Sequence, residues 1–538
     1  MNLRAKSALR RACGAFALLV ALGPAAHAQS DARAPKKLPA PEKIVEAYLK
    51  AIGGKKRVAA IRDASYVWDV RGADGAEAGT ARTHTKAPAA SRADLLLDSG
   101  EMNSAANART AWARGPDGIL RTLTDREAYA ARLHALLDAG RLADYKKQKV
   151  LARTAGVEDV LAETAYVVEF STRAGARLRY SFGATSKLLF KVSDEARGLT
   201  LRLGDYRARD DAQILEPHRI SVERKGEPSL LLTLREARYN AALSDALFEP
   251  PADAALDVAA LLRDLERNQR EVDRRVNDYT FTRKVTERKV NDRGEVTKET
   301  VTVHEVYPVA GWGWVMKLVS ENGAALAPER AAREERRVTE ELEKAERELP
   351  KLEQKRERQK AERAAKREAQ KRKAGGASAD EGDEDDIGIA TFLRATELVA
   401  PRSERFRERD AVVFDFRPRA GFKAKNRAES VVSKLAGTVW IDPADRHVMR
   451  LEAHFAEGFK MGGGLLASIK PGSAFVFEQA RMPDGVWLPR FSQVNLSAKV
   501  FLFAGVTVNA THEFSDYKRF STKTDDGRLD APKEPEKQ

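Results

Sequence analysis

The residues able to do chemistry are scattered singly along this chain. It has eight histidines, and beyond His27 they are His84, His134, His218, His304, His447, His454 and His512, each isolated in its own stretch. A structural or catalytic zinc site needs several such ligands at short spacing. His304-Glu305 has no second histidine four residues on, so the helical HExxH pattern is absent. The single cysteine, Cys13, lies in a segment expected to be removed, which leaves no disulfide, thiolate ligand or cysteine nucleophile. Gly53-Gly54-Lys55-Lys56 lacks the spacing of a phosphate loop and is expected to cap a helix. Lys470-Pro471-Gly472-Ser473 is expected as a turn, since no GxSxG elbow is present. Acidic residues abound, but no pair stands apart from the charged surface as a hydrolytic dyad would. The expectation is a binding protein: no enzyme, no cofactor, no metal.

One stretch suits a different chemistry. From Phe459 to Gly472 the chain is apolar and rich in glycine, with three consecutive glycines at 462–464. Glycine lowers the cost of moving the backbone. Met461, Leu465, Leu466 and Ile469 would give such a loop an adaptable apolar face. These four are the candidate lipid-contact residues. The competing reading is a bulged strand connection whose leucines complete the core.

The 538 residues are 43% hydrophobic and 32% charged, with a net charge of +14, which excludes wholesale disorder and is enough for two to four domains at roughly 100–200 residues each. Residues 1–28 have the form of a secretion signal. Arg4, Lys6, Arg10 and Arg11 precede the short apolar run Ala15–Leu22, and Ala26-His27-Ala28 is a small-x-small cleavage site. Cleavage after Ala28 and a periplasmic location are expected, and losing four positive charges leaves +10. A flexible leader at 29–41 follows. Half of that remaining excess lies between Glu329 and Lys373, with 17 Lys+Arg against 12 Asp+Glu. Without basic residues interleaved with aromatics, no nucleic-acid partner is expected.

Periodicity supplies the elements that must hold these residues. Ile44, Ala47, Tyr48 and Ala51 mark one face of a helix ended by Gly53-Gly54. The period then becomes two, at Tyr66/Trp68/Val70, Tyr166/Val168/Phe170, Leu178/Tyr180/Phe182, Leu188/Phe190/Val192, Leu199/Leu201/Leu203, Ile220/Val222 and Leu230/Leu232/Leu234. One helical interlude runs from about Asp125 to Lys147. After Leu247-Phe248-Glu249-Pro250-Pro251 the plan repeats. A helix carries Val258, Leu261, Leu262 and Leu265, and a strand begins with Tyr279, Phe281, Arg283 and Val285. Val315–Arg337 parallels Ala113–His134, and Phe477–Arg490 parallels Tyr206–Arg219. This predicts an α+β fold of two tandem unclosed antiparallel barrels, each a curved sheet capped by helices, at 42–252 and 253–524. The second is interrupted at 329–386 by a charged helical insertion, which could form a coiled coil and end in an acidic linker. Pro350 predicts a kink or hairpin within it. A loose tail at 525–538 closes the chain.

The opening Ile44-Val45-Glu46-Ala47-Tyr48-Leu49-Lys50-Ala51-Ile52-Gly53-Gly54-Lys55 resembles the start of the periplasmic outer-membrane lipoprotein-sorting (LolA-like) superfamily. Tyr239-Asn240 followed by Asp245-Ala246-Leu247-Phe248-Glu249-Pro250 is similar to its end. Gly437–Pro443 and Gly485–Pro489 look similar to strands of the same group. The resemblance implies an exported protein that binds or carries a lipid or lipoprotein acyl chain in an apolar hollow of the curved sheet. A different class is also open: an envelope interaction or sensing module, with residues 329–373 contacting a protein partner or an anionic membrane surface.

Overall fold

The computed structural model describes residues 38–519 apart from 161–162, 210–211, most of 254–274, 292–295, 310–311, 374–388, 462–466 and 501–503. The expected signal at 1–28 and the tail at 525–538 lie outside these residues. Among the described residues no helix is long and apolar enough to cross a membrane. From Ala40 onward they form one compact unit built on two antiparallel sheets.

Two short helices open it, α1 (Pro41–Ala51) and α2 (Lys55–Ala60). Pro41 starts α1 with φ already set for a helix, and Ile44, Val45 and Leu49 form its buried face. The chain leaves α1 through Gly53 at φ 122°. A Cβ there would stand 2.7 Å from the Gln213 carbonyl oxygen. Only glycine permits this approach, which lets the Leu215 N–H donate to Ile52 O at 3.0 Å.

The first sheet begins with β1 (Asp63–Gly72), β2 (Glu77–Lys86), β3 (Ala90–Leu97), β4 (Gly100–Ala106), β5 (Ala111–Arg114) and β6 (Leu120–Thr122). Helix α3 (Asp125–Ala139) follows. The chain then returns through β7 (Leu151–Val160), β8 (Glu163–Ser171), β9 (Arg177–Gly183), β10 (Leu189–Asp194), β11 (Leu199–Arg209), β12 (Ile214–Arg224) and β13 (Leu230–Tyr239). The spatial order is β6-β5-β4-β3-β2-β1-β13-β12-β11-β10-β9-β8-β7, so the first strand lies beside the last. Helix α3 touches β2 to β5 on one limb and β9 on the other. The sheet therefore curves around it, while β6 and β7 do not pair with each other and the barrel stays unclosed.

The second sheet follows the same winding. Strands β14 (Tyr279–Val290), β15 (Val296–Val309), β16 (Gly313–Glu321) and β17 (Ala324–Ala325) lead out to helix α4 (Pro328–Lys373). Helix α5 (Ile389–Ala395), β18 (Thr396–Phe406), β19 (Arg409–Pro418), helix α6 (Arg427–Val432), β20 (Leu435–Asp442) and β21 (His447–Phe455) come next. A small hairpin, β22 (Phe459–Met461) and β23 (Ala467–Ile469), precedes β24 (Ala474–Arg481), β25 (Trp487–Val500) and β26 (Ala504–Arg519). The order β17-β16-β15-β14-β26-β25-β24-β21-β20-β19-β18 again sets the first strand against the last.

Three expectations are corrected. Of the kink or hairpin expected at Pro350, the hairpin is excluded, since helix α4 runs for 46 residues through that position. Its start is docked: Val338 is buried, Glu334 accepts from the Leu318 N–H at 3.2 Å, and Arg337 donates to Met316 O. These side chains satisfy backbone groups on β16 that no strand pairs, a standing liability of sheet edges. Second, α3 stops at Ala139, with Arg141 and Leu142 in the left-handed region, instead of reaching Lys147. Third, a register shift in β10 buries Leu189, not Phe190.

Candidate functional site

Of the four candidate lipid-contact residues, Leu465 and Leu466 lie outside the described residues. Met461 ends β22 opposite Ala467 of β23. Ile469 pairs with Phe459 and packs, partly buried, against the cluster of Phe416, Leu435, Ala453 and Phe455. Among the described residues no three His, Cys, Asp or Glu side chains are grouped to hold a metal ion. His134 sits 2.8 Å from Arg197, and burial, then that guanidinium, lower its pKa to about 3.

On the first sheet, helices α1 and α3 fill one half of the inner face. Leu49, Leu137, Phe170, Leu178, Tyr180, Phe182 and Val192 are all buried there. Ring pairs tighten the packing, Tyr48–Phe182 at 5.3 Å and Phe170–Tyr180 at 5.2 Å. At the margin lies a polar group that the sequence pattern did not reveal. Glu216, 5% exposed, accepts from Tyr66 at 2.8 Å, from Arg141 at 2.7 Å and from Tyr239. Burial raises the Tyr66 pKa well above the usual phenol value. With each of these groups partnered, the cluster is a structural brace. Beyond the helices the same face carries half-buried Leu95, Leu97, Ile220, Val222, Leu230 and Leu234 around Trp68, Val70 and Leu232.

The inner face of the second sheet can be traced by register. Phe414, Val439, Leu451, Phe477, Ser492, His512 and Val285 are successive cross-strand neighbours and so point the same way. Leu261 and Leu265, both helical, pack on one end of this row, beside Phe414 and Val439. Phe392 of α5 stacks edge-on to Phe416 at 4.7 Å. The other end is more open, with Phe475, Phe477, Val494, Met316 and Phe514 half-buried.

Arg283 lies in that open part, opposite both Phe514 and His304. Its Nη2 is 3.1 Å from His512 Nδ1, its Nη1 is 3.3 Å from Met316 Sδ, and its guanidinium lies 5.8 Å from the Trp314 ring centre. Among the described residues no carboxylate forms a salt bridge with it. Burial lowers its pKa, with no carboxylate to offset that. Arg283 Nε and His304 Nδ1 are both buried without a hydrogen-bond partner. Glu334 is already engaged by Arg337 and the Leu318 N–H.

The outer face of the second sheet meets the first. Arg450, 1% exposed, donates to Glu478 at 2.6 Å and Glu452 at 2.8 Å. It also reaches Asp125 at the start of α3, at 2.6 Å. Arg402 and Glu404, 2.6 Å apart, both bond Thr122 of β6. Beside this junction a cleft of about 900 Å³ is lined by charged side chains including Arg126, Arg179, Arg407, Arg490, Glu169 and Glu513. Its polar walls do not suit an acyl chain.

No family model matches this chain, and no curated protein matches it closely. Solved structures do overlap with it. A LolA superfamily protein from Nitrosomonas europaea covers 40% of this chain and 99% of its own, at 15% identity and a TM-score of 0.26. A DUF1329 family protein from Desulfovibrio piger covers 39% of this chain and 96% of its own, at 15% identity and a TM-score of 0.27. The MucA/MucB complex of Pseudomonas aeruginosa contains a chain that covers 88% of this one and 94% of itself, at 10% identity and a TM-score of 0.16. Each of these is a likeness to part or all of this chain at low identity.

Proposed function

We propose that this is an exported, periplasmic protein, cleaved after Ala28, that binds or carries a lipid or lipoprotein acyl chain. The organisation we propose is two barrels, 42–252 and 253–524, each an unclosed sheet. The observation that carries the reading is shared by both: among the described residues helices cover only part of each inner face, and the rest presents rows of mostly apolar, half-buried side chains. Burying an acyl chain on such a row gains about 0.8 kcal/mol per CH₂. The half-filled first face and the open part of the second make the second the stronger seat.

Native mass spectrometry with lipid extraction, on protein purified from an envelope fraction, tests this. Co-purifying acyl lipid or lipoprotein is the expected result. Protein that is clean and also fails to take up a fluorescent fatty acid would overturn it. N-terminal sequencing of the same material tests the cleavage position.

A second reading rests on α4, whose first turns are docked while its backbone continues to Lys373. As an envelope interaction module the protein would use residues 329–373 to meet a partner or an anionic membrane. Loss of partner capture with retained lipid on deleting 329–386 would favour this reading.

A further inference from the structure

The open part of the second inner face is mostly apolar, with Ser492, His512 and His304 as neutral polar neighbours and a single charged side chain. An arginine there breaks the pattern: Arg283 occupies the apolar phase of β14, between Phe281 and Val285, which are both buried. Placing a guanidinium on such a face is costly unless a counter-charge offsets the lost hydration. Among the described residues the fully buried Arg450 and Arg402 have one, and so does the half-buried Arg141. Arg450 has Glu478, Glu452 and Asp125, Arg402 has Glu404 and Asp415, and Arg141 has Glu216. Arg283 has a neutral ring nitrogen, a thioether and an aromatic face instead. Its Nε and the neighbouring His304 Nδ1 are buried and unpartnered. A donor without an acceptor beside an apolar row is the complement of an amphiphile with one anionic head.

We propose that Arg283 is the head-group anchor of the second hollow, receiving a single carboxylate or phosphate whose acyl chain lies along Phe514, Val494 and Phe477. This rests on the acyl-binding reading and adds to it the charge of the ligand and the repeat that holds it. Arg283 Nε donates to one oxygen of the head. His304 Nδ1, whose pKa burial lowers, acts as an acceptor and is satisfied by a head that also carries a hydroxyl. A phosphate monoester in its monoanionic form offers both, and a carboxylate offers only the first. Phe281, Phe514 and Trp314 ring the site, with centroids 5.3 to 6.5 Å apart, and limit the head to a compact group.

The test uses the mature full-length protein and three probes of equal chain length: a fluorescent fatty acid, its methyl ester and the corresponding alkyl phosphate. Wild type is expected to bind both anions about tenfold tighter than the ester, the scale of one charge-assisted hydrogen bond. Arg283→Gln should lose that preference and leave ester affinity unchanged, while Arg283→Lys keeps part of it. A phosphate tighter than the carboxylate identifies the phosphate as the source, and the reverse order identifies a fatty carboxylate. Equal binding of all three probes to wild type overturns the anchor and leaves acyl binding standing. Binding of none overturns acyl binding itself. The wild-type comparison needs no variant, so a poorly folding Arg283→Gln does not weaken the test.

Discussion

The guanidinium of Arg450, on the outer face of the second sheet, lies 2.6 Å from the carboxylate of Asp125 at the first turn of α3. This one contact joins the helix inside the first barrel to the wall of the second. Asp125 has φ 53°, in the left-handed region, as it opens the helix.

Removing that arginine leaves Glu478, 2% exposed, facing Glu452 and Asp125 without its closest cation. Arg450→Met should therefore cost about 3–5 kcal/mol. Urea unfolding followed by tryptophan fluorescence measures it, and a loss below 1 kcal/mol would show that the junction carries little stability.

The packed half of the first barrel gives a contrasting outcome. Phe170 is 0% exposed between Tyr145 and Tyr180. Phe170→Ala should lower stability by about 3–5 kcal/mol through the cavity it leaves. Affinity for the fluorescent fatty acid should not change, since this half is filled by side chains.

Acid should weaken the fold through His134. Its pKa, about 3 in the folded protein against the usual 6.5, is depressed by burial and then by Arg197. Between these values the unfolded chain binds a proton that the folded one does not. Stability is full above about pH 6.5 and falls as pH drops toward 3, by at most about 1.4 kcal/mol per pH unit. Comparing the pH profile of the melting temperature for wild type and His134→Gln tests this: the variant should have the flatter profile over that window.

Docking of α4 can be read at a single amide. Glu334 accepts from the Leu318 N–H, and Arg337 donates to Met316 O. Glu334→Ala should speed hydrogen exchange at Leu318 about tenfold, the loss of roughly one hydrogen bond. Unchanged exchange would mean that other contacts protect the edge.

The strands legible in the sequence were those whose inward residues are large. Tyr66, Trp68 and Val70, or Leu178, Tyr180 and Phe182, alternate clearly and form β1 and β9. Strands β2 and β4 are hard to read because their inward residues, apart from Met102, are glycine, alanine, threonine and serine, whose alternation carries little hydropathy contrast. The bulge in β10 was invisible for a different reason: a register shift is set by partner strands and leaves no local mark. Pro350 forces no hairpin because one proline removes a single helical hydrogen bond and a long helix can absorb it. Arg283 was in view as part of the pattern Tyr279, Phe281, Arg283, Val285. Its sign was an arginine at an apolar position, but that it lacks a carboxylate emerges only once β15, β16 and β26 are placed around it. The Glu216 brace needs contacts across 75 to 150 residues and had no such sign.

At 1.5 Å per residue, the part of α4 beyond the buried Ala345 amounts to a rod about 40 Å long. Anchored at one end to a sheet edge, it would act as a ruler in the interaction-module proposal: a partner met near Lys373 would be held at a set standoff, and shortening the rod by whole turns would change distance while leaving its chemistry alone.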